Sequence, residues 1–233
     1  MLYFVLSAVL TALIAYLLGS ISFSILFTKL FDQKKDIRSM GSGNAGATNV
    51  LRSVGVKAAI FTFIFDFAKG VLSVFIGKMI FQYLAIPNIS EISDFELIQF
   101  GAYIAGFFCV MGHIFPLYFG FKGGKGVLTS WAIIALIDWR SFIAVILVFL
   151  VVFLFSKIVS LASICAAASY PICTLIFNLG IAYLWQHSVT IWYVLITFFV
   201  GTLQAGILIW KHRSNIQRIR QGTEKKITIK KKS

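Results

Sequence analysis

The sequence predicts an all-α, polytopic membrane protein of about seven transmembrane helices, with its N-terminus outside and its C-terminus in the cytoplasm. Three observations carry that prediction. Of 233 residues, 59% are hydrophobic, only 12% are charged and 24 are Phe, at a mean hydropathy of +0.92; an average soluble domain is roughly 25% charged. Apolar runs able to cross a ~30 Å hydrocarbon core recur along the chain without the alternating short strands of an outer-membrane barrel, so helices must do the spanning. The basic residues, finally, gather in alternate connecting segments, which sets the sidedness.

Spans are expected over residues 2–27, 58–83, 98–118, 127–139, 141–156, 161–181 and 189–210. The first, LYFVLSAVLTALIAYLLGSISFSILF, lacks the basic start and small-residue cleavage site of a signal peptide and reads as a retained helix. The fourth, GVLTSWAIIALI, barely reaches across before Asp138, Trp139 and Arg140; a five-span alternative drops or merges the fourth and fifth and keeps both termini on the same sides. With the N-terminus outside, the internal segments 29–57, 119–126, 157–160 and 211–233 hold 6, 2, 1 and 9 of the 21 Lys and Arg residues. External loops keep only Arg140, and Lys69 and Lys78 fall within the second span. The acidic loop PNISEISDFE, with Glu91, Asp94 and Glu96 and no basic residue, fits the outer side.

One integral membrane domain over residues 1–233 is the simplest count, ending in a basic cytoplasmic tail, KKITIKKKS at 225–233, suited to water or lipid headgroups. The net charge of +13 therefore belongs to one membrane face and implies no nucleic acid. Cys109, Cys165 and Cys173 lie in apolar segments, an odd count without metal-ligand spacing, and read as packing residues.

Three small polar islands interrupt this apolar chain, all on the expected cytoplasmic side. GSGNAGATNVLR, Gly41 to Arg52, matches GxGxxG literally, and Asp66 stands near the roughly 20-residue offset of the dinucleotide fingerprint. That fingerprint needs a strand before it and a soluble helix after it, whereas Asp66 lies in the apolar TFIFDFAKG, so the dinucleotide reading fails. What survives is an anion cradle: Gly41, Gly43 and Gly46 let backbone N–H groups approach a phosphate, and Ser42, Asn44, Thr48 and Asn49 add donors. GHIFPLYFGFKGGKGV, Gly112 to Val127, misses the Walker pattern twice, with Phe119 in place of its first Gly and Gly126 in place of the magnesium-binding Ser or Thr. It leaves Lys122 and Lys125 on a turn with Gly123 and Gly124, two charges that can approach an anion. WKHRSNIQRIRQGTE, Trp210 to Glu224, sets His212, Arg213, Asn215 and Arg218 at helical spacing beyond the last span.

Asp66 and Lys69 share a helix face inside a span and read as an ion pair bracing the site; His113, after a glycine and before aromatic residues, reads as a packing or backbone-bonding histidine. No GxSxG elbow, HExxH or paired carboxylate occurs in the islands, and no His has an Asp five positions later. Such a site suits an already activated, phosphorylated substrate.

The three islands, in order and on one side, resemble the three motifs of the bacterial acyl-phosphate:glycerol-3-phosphate acyltransferase family. LLGSISFS from Leu17, DFAKG from Asp66 and SLAS from Ser160 extend the resemblance over nearly the whole chain. Ser22, where proline is frequent, and Ser214, where an acidic residue is frequent, depart from it. The resemblance implies transfer of an acyl group from acyl phosphate to the 1-hydroxyl of glycerol 3-phosphate, giving lysophosphatidic acid and phosphate for phospholipid biosynthesis. It implies no cofactor or metal, a multi-pass location in the bacterial plasma (inner) membrane with a cytoplasmic active site, and the soluble acyl-phosphate-forming enzyme as a partner. Ser42, Arg52, Lys125, His212 and Asn215 would be catalytic. Phosphate would be held by Gly41, Ser42, Gly43, Asn44, Thr48, Asn49, Arg52, Lys122, Gly123, Gly124, Lys125, Arg213 and Asn215, with Asp66, Lys69, His113 and Glu224 in support. The competing reading is a membrane transporter of organic phosphates, which would more often carry internal repeats and a midplane site.

Overall fold

Among the described residues, 1–32 and 35–226 of the computed structural model, the chain is helical with no strand. Of the expected tail at 225–233, all but Lys225 and Lys226 lies outside the described residues. The α-helices are α1 (Leu2–Gly19), α2 (Phe23–Phe31), α3 (Ala47–Ser53), α4 (Val56–Ile80), α5 (Asp94–Ile114), α6 (Val127–Ile137), α7 (Trp139–Ser156), α8 (Val159–Leu175), α9 (Ile191–Lys211) and α10 (Arg213–Arg220). Among the described residues, six helical stretches have the length and apolarity to cross a membrane: Leu2–Phe31, Val56–Asn88, Asp94–Phe119, Trp139–Ser156, Val159–Trp185 and Ile191–Lys211. The expected fourth segment forms α6, whose 11 residues rise only ~16 Å at 1.5 Å per residue. The fifth, which the five-span alternative would have dropped or merged, is an 18-residue helix.

The chain divides into two units, residues 1–137 and 138–233. In the first, α5 packs against α1, α4 and α6 and is the most buried of the spanning helices. Small residues bring the backbones together, because in lipid the contact must come from close packing rather than from a hydrophobic drive. A Cβ on Gly19 of α1 would run into the Cys109 carbonyl of α5, and one on Gly77 of α4 would sit 2.5 Å from the Gly101 carbonyl. Outside this core, Phe23 and Phe27 of α2 pack on Phe61 and Phe65 of α4 with ring centroids 5.1 to 5.5 Å apart, part of an apolar face suited to lipid.

The first expected span, 2–27, is broken rather than continuous. α1 ends at Gly19, where the Ser20 hydroxyl donates to the Tyr16 carbonyl at 2.8 Å, and α2 starts at Phe23 after the buried, extended Ser22. The break frees the Ile21 carbonyl, which accepts a hydrogen bond from Lys69 Nζ of α4 at 2.8 Å. Lys69 Nζ also lies 2.7 Å from Asp66 Oδ1 one turn earlier, the ion pair expected from their spacing, and 3.0 Å from His113 Nδ1 of α5. An ammonium has no acceptor site, so His113 Nδ1 accepts and the ring proton sits on Nε2.

In the second unit, α8 lies between α7 and α9. Asp138 caps α7, accepting from the Arg140 N–H at 3.1 Å and from the Ser141 hydroxyl at 2.8 Å. Asn178 Nδ2, beyond the end of α8, donates to Thr197 Oγ1 of α9 at 3.0 Å, an interhelical bond well suited to an apolar surround. α10 then turns off α9 at His212.

Lys69→Ala is expected to destabilise the protein by about 3–5 kcal/mol, because it leaves Asp66 charged and buried with the Ile21 carbonyl orphaned. Thermal unfolding in detergent reads the loss, and adding Asp66→Asn in the same chain should recover part of it.

Candidate active site

The first island folds around a buried amide. Asn49 of α3 donates through Nδ2 to the carbonyls of Met40 at 2.9 Å, Asn44 at 3.1 Å and Ile37 at 3.3 Å, and its Oδ1 accepts the Ser42 N–H at 2.9 Å. The loop bends inward at Gly41 (φ +58°) and Gly43 (φ +71°), both left-handed. A Cβ on Gly41 would collide with Asn49 Oδ1, so the glycine serves the brace as well as the turn. Ile37, Ala45 and Val50 anchor the loop below, buried with Ile25, Ala58 and Ala59. Ser42, Thr48 and Arg52 remain exposed and Asn44 half-buried, so the side chains that can meet an anion point outward.

This geometry redistributes the roles expected within the island. Both ends of the Asn49 amide are committed to the loop's own backbone. The N–H groups of Ser42 and Gly43 are likewise taken, by Asn49 and by the Met40 carbonyl at 2.9 Å.

The second island folds back onto the end of α5. The Gly124 N–H donates to the His113 carbonyl at 3.1 Å, the Gly123 N–H to the Ile114 carbonyl at 3.2 Å and the Phe121 N–H to the Pro116 carbonyl at 2.9 Å. A Cβ on Gly124 would strike both His113 Nε2 and the Ala45 carbonyl of the first island, so the glycine there is what lets the two islands touch. Lys122 is exposed and Lys125 half-buried on this turn. The first unit thus brings islands one and two together, with Asp66, Lys69 and His113 beneath them.

Two residues of this contact were missed in the sequence. Asp36 caps the short turn Ile37–Ser39, accepting the Arg38 N–H at 2.9 Å, and its carboxylate grips the Arg38 guanidinium, the shortest contact being 2.7 Å. Arg38 Nη1 reaches across to the carbonyls of Phe119 at 2.7 Å and Lys122 at 3.3 Å. The only sequence trace is an Asp-x-Arg spacing, which any turn can carry. The hydrogen bond from Arg38 holds the Asp36 carboxyl below the usual aspartate value, against the opposing effect of burial.

The third island is organised within the second unit by Glu224. Its Oε1 accepts from Ser160 Oγ and Asn215 Nδ2, each at 2.7 Å, and its Oε2 from Arg218 Nε at 2.6 Å. Burial raises the Glu224 carboxyl, and the hydrogen bonds from Ser160, Asn215 and Arg218 outweigh it, leaving the group below the usual glutamate value. His212 is buried, with Nδ1 2.8 Å from the Leu208 carbonyl; a carbonyl only accepts, so Nδ1 carries the proton and Nε2 is the basic nitrogen of the neutral ring. Arg213 is exposed and lies over the Trp210 ring, 4.6 Å from its centroid.

Fold and islands define a class, an all-helical, multi-pass membrane protein with glycine-rich polar loops between its helices. The chain belongs to the glycerol-3-phosphate acyltransferase family, whose model matches residues 9–222. A glycerol-3-phosphate acyltransferase of Prochlorococcus marinus (strain MIT 9215) is 40% identical over 192 residues, covering 82% of this chain and 84% of the relative. One from Finegoldia magna is 36% identical over 197 residues, covering 83% of each. Among solved structures, the chain is similar to PlsY (YgiH), an integral membrane glycerol 3-phosphate acyltransferase. It matches the glycerol 3-phosphate form with a TM-score of 0.73 at 33% identity, covering 95% of this chain and 96% of that one. The lysophosphatidic acid form gives 0.71 at 32%.

Two outcomes follow from these contacts. Asn49→Ala is expected to cost roughly 1–3 kcal/mol locally, read as faster amide exchange over residues 37–46, because four backbone partners lose one side chain. The contacts of Asp36 and Glu224 contribute fully above the ordinary carboxylate values and are lost only as pH falls through the lowered folded ones. Thermal stability should therefore be flat from pH 8 to about pH 5 on their account and drop below about pH 4.

Proposed function

We propose that this protein transfers an acyl group from acyl phosphate to the 1-hydroxyl of glycerol 3-phosphate, releasing lysophosphatidic acid and phosphate. The observation that carries the reading is the seating of the GSGN loop against the lysine-bearing turn, which sets exposed Ser42, Thr48 and Arg52 on one island and Lys122 and Lys125 on its neighbour. Family membership and the glycerol 3-phosphate and lysophosphatidic acid forms of PlsY support it.

Acyl phosphate is a mixed anhydride with a good leaving group. The hydroxyl oxygen attacks the acyl carbon, the carbon–oxygen bond to phosphate breaks, and phosphate departs with the bonding pair and takes the hydroxyl proton. The protein then has chiefly to align the two reactants and offset phosphate charge. Ser42, Asn44, Thr48 and Arg52 serve one phosphate and Lys125 with Lys122 and the Gly123–Gly124 turn the other; in the second unit, His212, Arg213 and Asn215 are the residues assigned to glycerol 3-phosphate. His212 Nε2 is the second choice of base. Residues 1–233 act as one membrane domain, with no metal or cofactor needed. The active site faces the cytoplasm of the bacterial inner membrane, where the soluble acyl-phosphate-forming enzyme supplies the donor. The concentration of 18 of 21 basic residues on one side supports that orientation.

Purified protein given labelled acyl phosphate and glycerol 3-phosphate should form lysophosphatidic acid in the presence of chelator. Equal use of acyl coenzyme A, or arrest by chelator with recovery on magnesium, would overturn the donor chemistry. Arg52→Ala and Lys125→Ala should each lower kcat/KM on the order of 10²–10³-fold while the protein stays folded. In a cysteine-free background, Ser93→Cys should react with an impermeant thiol reagent in intact cells and Ser214→Cys should not.

A further inference from the structure

The turn that carries Lys122 and Lys125 contains an unusual pair of residues. Gly120 (φ +65°) and Phe121 (φ +59°) are both left-handed, a conformation that is free for glycine and costs an aromatic residue roughly 1–2 kcal/mol. Phe121 is exposed, so core packing does not force it there. Such backbone persists only where its surroundings over-determine it. The side chain that does so is Arg38, alongside the Phe121 N–H bond to the Pro116 carbonyl at 2.9 Å. Arg38 Nη1 donates to the carbonyls on both sides of the left-handed pair, Phe119 at 2.7 Å and Lys122 at 3.3 Å. Its Nε and Nη2 are turned the other way, onto Asp36, at 3.1 and 2.7 Å. Of five guanidinium N–H groups, four are spent on these partners, which makes Arg38 a bracket between two protein segments rather than a ligand for substrate.

We propose that Arg38, oriented by Asp36, is a positioning residue that latches the left-handed Gly120–Phe121 turn shut and so sets where Lys122 and Lys125 stand against the GSGN loop. The proposal rests on the reading of Lys125 as a phosphate clamp. The latch acts at a distance from the acyl carbon. Opening it lets the Gly120–Phe121 turn relax toward right-handed backbone and shifts the lysines against the first island, while the Gly123 and Gly124 N–H bonds to the Ile114 and His113 carbonyls still tie the far end of the turn to α5.

The experiment has two arms. Without substrate, Arg38→Ala should speed amide exchange across residues 117–126 by about tenfold while the rest of the chain is unchanged. In the activity arm, with both substrates present, adding Phe121→Gly, which removes the strain the latch holds, should bring kcat/KM back toward wild type. With acyl phosphate and glycerol 3-phosphate, Arg38→Ala should lower kcat/KM by about 10- to 100-fold, and Arg38→Lys, which keeps the charge but loses the fork, by less. In a Lys125→Ala background the Arg38 change should cost under about twofold more, since the two act through one interaction. Asp36→Asn provides a milder opening if Arg38→Ala does not fold. Unchanged exchange in the turn, full additivity with Lys125→Ala, or no recovery with Phe121→Gly would each overturn the latch. If the wild-type protein fails to transfer acyl groups, the functional reading falls alone and the exchange arm still judges the latch.

Discussion

One buried ammonium, Lys69 Nζ, is the point on which the first unit turns. It lies within 3.0 Å of Asp66 Oδ1, the Ile21 carbonyl and His113 Nδ1, so a single cation joins the interior of α4, the break between α1 and α2 and the end of α5. An unpaired charge at this depth would be prohibitive, and each partner removes a different part of that cost. Asp66 neutralises it, the Ile21 carbonyl gains the donor that the helix break took away, and His113 is held in the tautomer that keeps its proton on Nε2. That nitrogen and the His113 carbonyl are what Gly124 packs against and bonds to. The second island therefore inherits its position from a buried ion pair.

The polar loops repeat the same logic at the surface, with a neutral amide in the first island and a carboxylate in the third. Asn49 satisfies three carbonyls and one N–H of the first island, and Glu224 collects Ser160, Asn215 and Arg218 in the second unit. Each loop carries one buried or half-buried polar side chain at its centre, because a glycine-rich segment without bulky residues has little apolar area with which to hold its shape. A hydrogen-bonded hub replaces a hydrophobic one.

The helical membrane architecture was legible because composition and run length leave almost no alternative, and the three islands stood out as polar breaks in an apolar chain. The Asp66–Lys69 pairing was legible from a spacing of three in a segment where a lone charge is costly. The break at 20–22 was not, since Gly19, Ser20 and Ser22 are small residues tolerated in spanning helices and the group that stabilises the break lies 48 residues away on another helix. Arg38 was invisible for the same reason: its partners at Phe119 and Lys122 are carbonyls, which leave no mark on residue type. Asn49 was recognised as polar and important, but its direction was not, because a donor that faces a phosphate and one that faces its own loop have the same letter.

Burial separates the two kinds of polar residue that sequence alone had merged. Ser42, Thr48, Arg52, Lys122 and Arg213 are exposed, whereas Asn49, Asp66, Lys69, His113, His212 and Asn215 are nine-tenths or more buried. An exposed charge beside a glycine loop costs little to keep unpaired in water and gains most when an anion arrives and displaces that water, so its energy is available to binding and to the developing charge of the transition state. A buried polar group has already made its bonds, and its energy is committed to the fold before any ligand binds. Substitutions in the first set should act on rate at nearly constant stability, and those in the second on stability with rate following. Asn215 and His212 join the buried set while standing in the third island, where Glu224 and the Leu208 carbonyl fix their orientation. In each unit the exposed polar groups thus form a thin layer, and its geometry is decided one layer below, by buried side chains that the helices hold in place.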